Sequence, residues 1–403
     1  MPHTIRRLGH LGDGIADGPV YAARVLPGEV IDGDLAGDRI DRPKIVTPSS
    51  DRVAAPCRHY KSCGGCALQH ASDDFVSNWK ADVVRQALAA QGIDAPIRKV
   101  VTSETRSRRR ATFSGRRLKS GPVVGFHGAA SDAVTAVPDC LLLDEAVLSA
   151  ISPCEDLVAM LGSRKGEMRF RVTATETGLD IDASAGRAVT REDWEPLANL
   201  ARAHDLARLL VDGEVVVERR PPLVRFDGIP VVLPPGAFLQ ATKCGEKALR
   251  SSVLEAVGNT SLVADLFAGC GTFSLPLAEG AEVHAVEGDA PLLAALDESW
   301  RKAKGLKKAT TEVRDLFRRP LLPDELARFG AVVIDPPRAG AEAQTLQIAK
   351  AKPARIAFVS CNPVTFARDA RILTDAGYRL DWIDVVDQFR WATHVELAAQ
   401  FTA

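Results

Sequence analysis

Two rhythms of apolar and polar positions divide the chain. From residue 1 to about 50, short apolar stretches such as Val20–Val25 and Glu29–Ile31 are interrupted every few residues by turn chemistry: Gly12-Asp-Gly14, Asp17-Gly-Pro19 and Pro27-Gly28. Turns at such intervals keep strands short, so this segment predicts a small β-barrel. Between Ser72 and Gly92 the apolar period lengthens. Phe75, Trp79, Val83 and Leu88 share one helical face, and Gly92 supplies the stop. Residues 93–230 mix short strands (Val123–Phe126, Glu214–Glu218) with helices near 141–161 and 193–207.

After the Pro-rich stretch 230–235 the texture changes. Apolar runs Leu262–Phe267, Val283–Glu287, Ala331–Asp335 and Ile356–Ser360 read as strands and alternate with helices near 290–304 and 364–376. A βαβα alternation predicts an α/β fold with a parallel, doubly wound sheet, which binds ligands beyond the carboxyl ends of its strands. Three domains are expected: a barrel over 1–52, a central α+β domain over 53–230, and a Rossmann-like domain over 231–403.

Composition narrows the class. Of 403 residues, 46% are hydrophobic, 26% charged and 5% aromatic, an ordinary globular balance rather than a disordered one. No apolar run is long enough for a membrane span, and the N-terminus lacks the apolar core of a signal peptide, so a cytoplasmic, monomeric protein away from membranes is expected. The formal net charge is −1, so a nucleic-acid partner has to be met by a local patch. Residues 105–119 offer one: Arg106, Arg108, Arg109, Arg110, Arg116, Arg117 and Lys119, interleaved with Phe113 and without an acidic residue. Arginine forks can bridge phosphates, and an aromatic ring can stack on a base. Of eight cysteines, Cys57, Cys63 and Cys66 crowd together. With Cys140 they supply four soft ligands, suited to zinc or a [4Fe–4S] cluster, between which spacing cannot choose. Cys154, Cys244 and Cys270 are expected to be packed.

The candidate chemistry collects at strand ends. Asp265-Leu-Phe-Ala-Gly-Cys-Gly-Thr272 ends the first strand, where Gly269 and Gly271 permit a tight turn and a close ligand. The third glycine of a dinucleotide fingerprint is missing, while Glu287 ends the second strand where a carboxylate can accept from ribose hydroxyls. A ribose carboxylate without a pyrophosphate turn points to S-adenosylmethionine. Asp335-Pro-Pro-Arg-Ala-Gly340 and Ser360-Cys-Asn-Pro363 end the next strands, and Thr393-His-Val-Glu396 lies near the C-terminus. Cys361 in an exposed turn is a candidate nucleophile.

These motifs together resemble the RNA uracil-5-methyltransferase family over nearly the whole chain. The resemblance implies thiolate attack by Cys361 on carbon 6 of a uracil, methyl transfer from S-adenosylmethionine to carbon 5, and removal of the carbon 5 proton by Glu396. It places Asp335 beside cofactor and base, and assigns Gln240, Phe267, Thr272 and Glu287 to the cofactor, with Asp315 a weaker contact. Cys57, Cys63, Cys66 and Cys140 resemble the [4Fe–4S] module of the ribosomal members, and the opening segment with Leu26-Pro-Gly-Glu29 their OB-like TRAM domain. The tRNA members generally lack both, which favours 23S rRNA, with the target uridine in a loop or single strand. Departures are Thr242 and Thr272 where the family usually has Asn, Phe389-Arg390 for Phe-Pro, and Ala392 for a hydroxyl residue. Alternatives are the same chemistry on a tRNA uridine, an amino-methyltransferase using the Asp335-Pro-Pro loop, and a non-catalytic RNA-binding or rRNA-folding factor.

Overall fold

The computed structural model describes residues 2–94, 96–129 and 131–403. Residues 3–47 make six short strands in one sheet, ordered Arg39–Ile40, Val20–Ala22, Gly14–Ala16, His3–Leu8, Val30–Asp32, Lys44–Thr47. Alternate side chains point inward, as strand geometry requires, and Ile5, Ala16, Val20, Ala22, Val25, Ile31 and Ile40 form a private core. Glu29 is fully buried beneath it, where its carboxylate accepts from Leu26 N–H, Ser49 N–H and Arg52.

The central region holds a seven-stranded sheet, ordered Val134–Ala136, Gly121–His127, Arg110–Leu118, Met168–Thr175, Gly178–Ser184, Arg208–Val211, Glu214–Glu218. Helices Ile151–Leu161 and Trp194–Ala203 share its core with Phe113, Phe170, Ile181 and Leu209.

The large sheet has eight strands, numbered here in chain order: β1 (Ile97–Thr102), β2 (Leu262–Leu266), β3 (Glu282–Glu287), β4 (Ala309–Val313), β5 (Ala331–Ile334), β6 (Arg355–Ser360), β7 (Arg379–Asp387) and β8 (Glu396–Thr402). Their spatial order is β4-β3-β2-β5-β6-β8-β7-β1. Strands β2 to β6 are parallel, as the alternation predicted, but β8 runs antiparallel to both neighbours. The main covering helices are α1 (Asp73–Ala89), α2 (Lys243–Val257), α3 (Ala290–Lys302), α4 (Glu342–Ala351) and α5 (Pro363–Asp375). Successive strand residues feed opposite faces. Val332, Ile334, Ile356 and Phe358 meet α1, α4 and α5 through Val84, Leu88, Ile348 and Phe366. Ala331, Val333, Ala357 and Val359 meet α2 through Leu249, Val253 and Val257. A strand buried on both faces reads as a continuous apolar run, which is why these four were legible.

Residues 73–102 lie in the span expected for the central domain, yet their packing runs to the C-terminal sheet. Ser72 caps α1 by accepting from Phe75 N–H. α1 then packs on α5, and β1 pairs parallel with β7 at the sheet's edge. No helix among the described residues is long and apolar enough to cross a membrane.

Candidate active site

A cavity of about 1080 Å³ opens at the carboxyl ends of the parallel strands. Gln240, Phe267, Gly269, Thr272, Glu287, Asp315, Asp335, Cys361 and Glu396 all line it. It has two differently built ends.

At the β2–β4 end the backbone is bent around carboxylates. Phe267 takes a left-handed conformation (φ 63°), unusual for an aromatic residue, with its N–H donating to Val286 O. This turns its ring against Phe317, centroids 5.4 Å apart. Gly269 also has positive φ, and a Cβ there would touch nothing within 4 Å, so the turn leaves open space for a ligand. Glu287 accepts from three amides: Gly269 N at 3.1 Å, Gly288 N at 2.6 Å and Asp289 N at 3.1 Å. Asp315 accepts from Phe317 N at 3.0 Å and Arg318 N at 3.2 Å, which fixes the loop carrying the Phe317 ring. Two of the predicted cofactor residues do not line the cavity. Asp265 is fully buried and accepts from Ser274 Oγ at 2.5 Å; burial raises its carboxyl to about 7. Gly271 is packed instead against Leu275 and Leu296. Both shape the turn from behind.

At the β5–β8 end the strands deliver ionisable groups to one place. The antiparallel register pairs Ser360 with Leu397, so Cys361, next after Ser360, lies across from Glu396, next before Leu397. Asp335 follows β5 on the neighbouring strand. Burial, reinforced by Glu396, Asp265 and Glu287, holds the Asp335 carboxyl well above the usual range. Burial, with Glu396 and Asp335 adding to it, pushes the Cys361 thiol up to about 11. Burial likewise lifts Glu396 to about 7, although Gln388, Lys80 and Arg110 favour its charged form. Crowded carboxyl groups in a poorly hydrated site hold on to protons, which is the setting acid–base chemistry needs.

The loop between β7 and β8 is anchored from several sides. Arg390, standing where the family pattern has Pro, donates to Ser103 O and pairs with Asp73 at 2.5 Å. Trp391 has φ 61°, and its carbonyl accepts from Ala67 and Leu68 N–H, tying the loop to the cysteine-rich segment. Phe317, Gln388, Phe389 and His394 were missed by sequence reasoning. Phe389 and His394 carried a signal, since His394 lies inside the Thr393-His-Val-Glu396 motif and Phe389 a few residues before it.

The basic stretch is only partly free. Arg109 is buried and paired with Glu246 while donating to Gln240 O at 3.0 Å, so it cannot reach phosphate. Phe113 is fully buried in the central core beside Phe126, so it cannot stack on a base. Its strand alternates Ala111, Phe113 and Gly115 inward, which overrides the basic neighbours. Arg116 is held by Glu167 at 2.9 Å. Arg108 lines the cavity with its guanidinium over Phe389, and Arg110 lies over Phe238. Arg106 and Arg117 are exposed.

Cys57, Cys63, Cys66 and Cys140 are free thiols around a second cavity of about 260 Å³ that also meets Tyr60, Arg108 and Phe126. Burial raises the Cys66 thiol to about 12. Among the described residues no three His, Cys, Asp or Glu side chains are grouped closely enough to hold a metal ion as placed. Cys154 and Cys270 are buried as expected, but Cys244 is exposed.

Comparison with known proteins places the chain. Residues 299–402 match the tRNA (uracil-5-)-methyltransferase family profile. An uncharacterized RNA methyltransferase of Brucella suis is 42% identical, covering 99% of this chain and 97% of its own. A 23S rRNA (uracil(1939)-C(5))-methyltransferase of Shewanella piezotolerans is 30% identical, covering 99% of this chain and 94% of its own. The chain belongs to the RNA uracil-5-methyltransferase family. The solved structure of Pyrococcus abyssi tRNA (uracil-54, C5)-methyltransferase with S-adenosyl-L-homocysteine shares the fold, with TM-score 0.76 and 21% identity over 100% of this chain and 99% of that one.

Two consequences follow for this uracil-5-methyltransferase. S-adenosylmethionine is the methyl donor of such an enzyme, and the β2–β4 end fits it: an open glycine turn, a fixed carboxylate and two aromatic rings. The likeness of fold to that tRNA enzyme also extends over 100% of this chain.

Proposed function

We propose that this uracil-5-methyltransferase modifies a uridine of 23S rRNA in the cytoplasm, using Cys361 as nucleophile and Glu396 as base. The observation that carries the mechanism is the β6–β8 register, which sets Cys361 across from Glu396 in the cavity that also contains Glu287. Carbon 5 of uracil is a weak nucleophile. Once the Cys361 thiol has given its proton to solvent, addition of the thiolate sulfur to carbon 6 moves the ring's π electrons toward carbon 5 and the carbon 4 oxygen, giving an enolate. Asp335, whose burial favours its neutral form, can donate to a uracil oxygen where that charge gathers. S-adenosylmethionine, when bound, supplies a methyl group on a positively charged sulfur. Once carbon 5 carries the methyl group, Glu396 takes the carbon 5 proton, the ring double bond re-forms and the Cys361 sulfur leaves carbon 6. A base near 7 suits that task, being about half ionised near neutral pH and basic enough to take a proton.

Gln240, Phe267, Gly269, Thr272, Glu287 and Asp315 are assigned to the cofactor. Arg106, Arg108, Arg110 and Arg117 are assigned to RNA phosphates, together with the small N-terminal domain, in a protein acting as a monomer. The four cysteines are assigned to a [4Fe–4S] cluster that braces residues 57–69 against the central sheet. The ring of thiols around one cavity supports a bound centre, and a cationic centre would offset the burial that raises the Cys63, Cys66 and Cys140 thiols. Iron and zinc analysis of anaerobically purified protein distinguishes cluster from zinc. The ribosomal substrate rests on the Shewanella relative, and the tRNA reading on the family profile. Nucleoside mass spectrometry after incubation with unmodified 23S rRNA and, separately, bulk unmodified tRNA tests both. 5-Methyluridine in rRNA alone is expected. Product in tRNA alone would overturn the substrate, and no product in either would overturn the reaction.

A further inference from the structure

Gln388, just past the end of β7, is 2% exposed and has no place in the mechanism so far. Its side-chain oxygen accepts from Thr242 N–H at 3.1 Å, which fixes the amide's orientation. The NH₂ group therefore faces the cavity floor, where Nε2 donates to Gln240 Oε1 at 2.7 Å and to Glu396 Oε2. With Gln240 Oε1 thus committed, Nε2 is the end of Gln240 left for a ligand. One buried amide joins a cofactor residue to the base.

The neighbouring structure leaves this amide little freedom. Lys80 of α1, fully buried, donates to Asp387 at 2.5 Å and to Phe389 O at 3.1 Å, pinning the residues on either side. A Cβ at Gly245 of α2 would overlap Gln388 Cγ, so that helix position has to stay bare for the side chain to lie where it does. Thr242 itself is occupied elsewhere. Its hydroxyl caps α2 by accepting from Gly245 N and is hydrogen-bonded to Ser103 Oγ. Where the family pattern has an Asn amide at 242, this chain has a hydroxyl engaged in capping, and an amide arrives from β7.

We infer that Gln388 is a positioning residue that orients the Glu396 carboxylate and the Gln240 amide together, coupling proton removal to the cofactor's place in the cavity. This rests on the proposed roles of Glu396 and Gln240. The groups facing Glu396 are Asp387, Lys80 and Arg110, with Asp335 and Cys361 on the cavity side. Among them Gln388 is a neutral donor held in contact with the carboxylate, and a donor to a carboxylate favours its charged, proton-accepting form.

The test uses the full-length protein and unmodified substrate RNA. Gln388→Leu keeps the bulk but removes the amide. Gly245→Ala displaces the same side chain from the opposite helix. Both variants are expected to slow turnover at least tenfold and to accumulate a covalent RNA–protein adduct on natural RNA, because release needs the base while methyl transfer precedes it. The acid limb of the pH–rate profile should move to higher pH, and KM for S-adenosylmethionine should rise. Thermal melting and circular dichroism report whether each variant is folded. Folded variants with the wild-type pH profile and no trapped adduct would overturn the inference, as would equal slowing of methyl transfer and release. Wild-type protein that forms no adduct with 5-fluorouridine RNA would instead overturn the reading on which the inference rests.

Discussion

The two ends of the active cavity handle carboxylates in opposite ways. At the β2–β4 end, Glu287 and Asp315 accept from backbone amides of their own and a neighbouring turn, five donors between them, so they are fixed before any ligand arrives. At the β5–β8 end, Asp335 and Glu396 crowd the Cys361 thiol, and all three hold protons more tightly than in water. The difference matches two tasks. Binding gains from groups that need no reorganisation, whereas proton transfer needs groups that can change charge near working pH. One sheet builds both because its strand ends present turns on one side and an antiparallel return strand on the other.

Substitutions at the two ends should therefore fail in different ways. The largest effect is expected for Cys361→Ala: methylation falls to background, with cofactor affinity by calorimetry close to wild type. Glu396→Gln should lower turnover by roughly 10²–10⁴-fold while methyl transfer to RNA still occurs, so radiolabelled methyl groups collect in a covalent protein–RNA complex. The wild-type rate should depend on the same group. Because Glu396 is raised to about 7 and must be ionised to take a proton, release of methylated RNA from the covalent complex should climb with pH to about 7 and flatten above it. A release rate flat down to pH 5 would remove Glu396 from that role.

At the other end, Glu287→Ala should act on binding alone. Loss of its hydrogen bonds is expected to raise KM for S-adenosylmethionine by roughly ten- to hundredfold, leaving kcat within a few-fold of wild type. A matching fall in kcat would erase the contrast between the two ends. The smallest effect is expected for exposed Arg117→Ala, which should weaken RNA binding modestly and flatten the salt dependence of log affinity by about one unit of slope. Arg109→Ala, in contrast, should lower the melting temperature, since it strands the buried Glu246 carboxylate.

What could be read from the sequence follows the same division. The parallel strands were legible because each is an apolar run ended by a distinctive motif, and the motifs then had to meet at one edge of the sheet. β1 was not, since Ile97-Arg-Lys-Val-Val-Thr102 is a half-polar edge strand whose partner lies nearly 290 residues away. The antiparallel β7–β8 pair was also missed, so the opposition of Cys361 and Glu396 appears only in the register. Phe113 was taken for a surface aromatic because its basic neighbours masked an alternation that turns it inward. Gln388 had no sequence signal at all: its partners come from residues 240–245 and from Glu396, and only packing brings them together.

The central claim is that Cys361 bonds covalently to a uracil ring during methylation. Incubating the protein and S-adenosylmethionine with 5-fluorouridine-substituted 23S rRNA fragments tests it, because fluorine at carbon 5 cannot leave as a proton does. The account predicts a stable methylated adduct, mapped by peptide mass spectrometry to Cys361 and absent in Cys361→Ala. An adduct on another residue, or full methylation of natural RNA by Cys361→Ala, would contradict it.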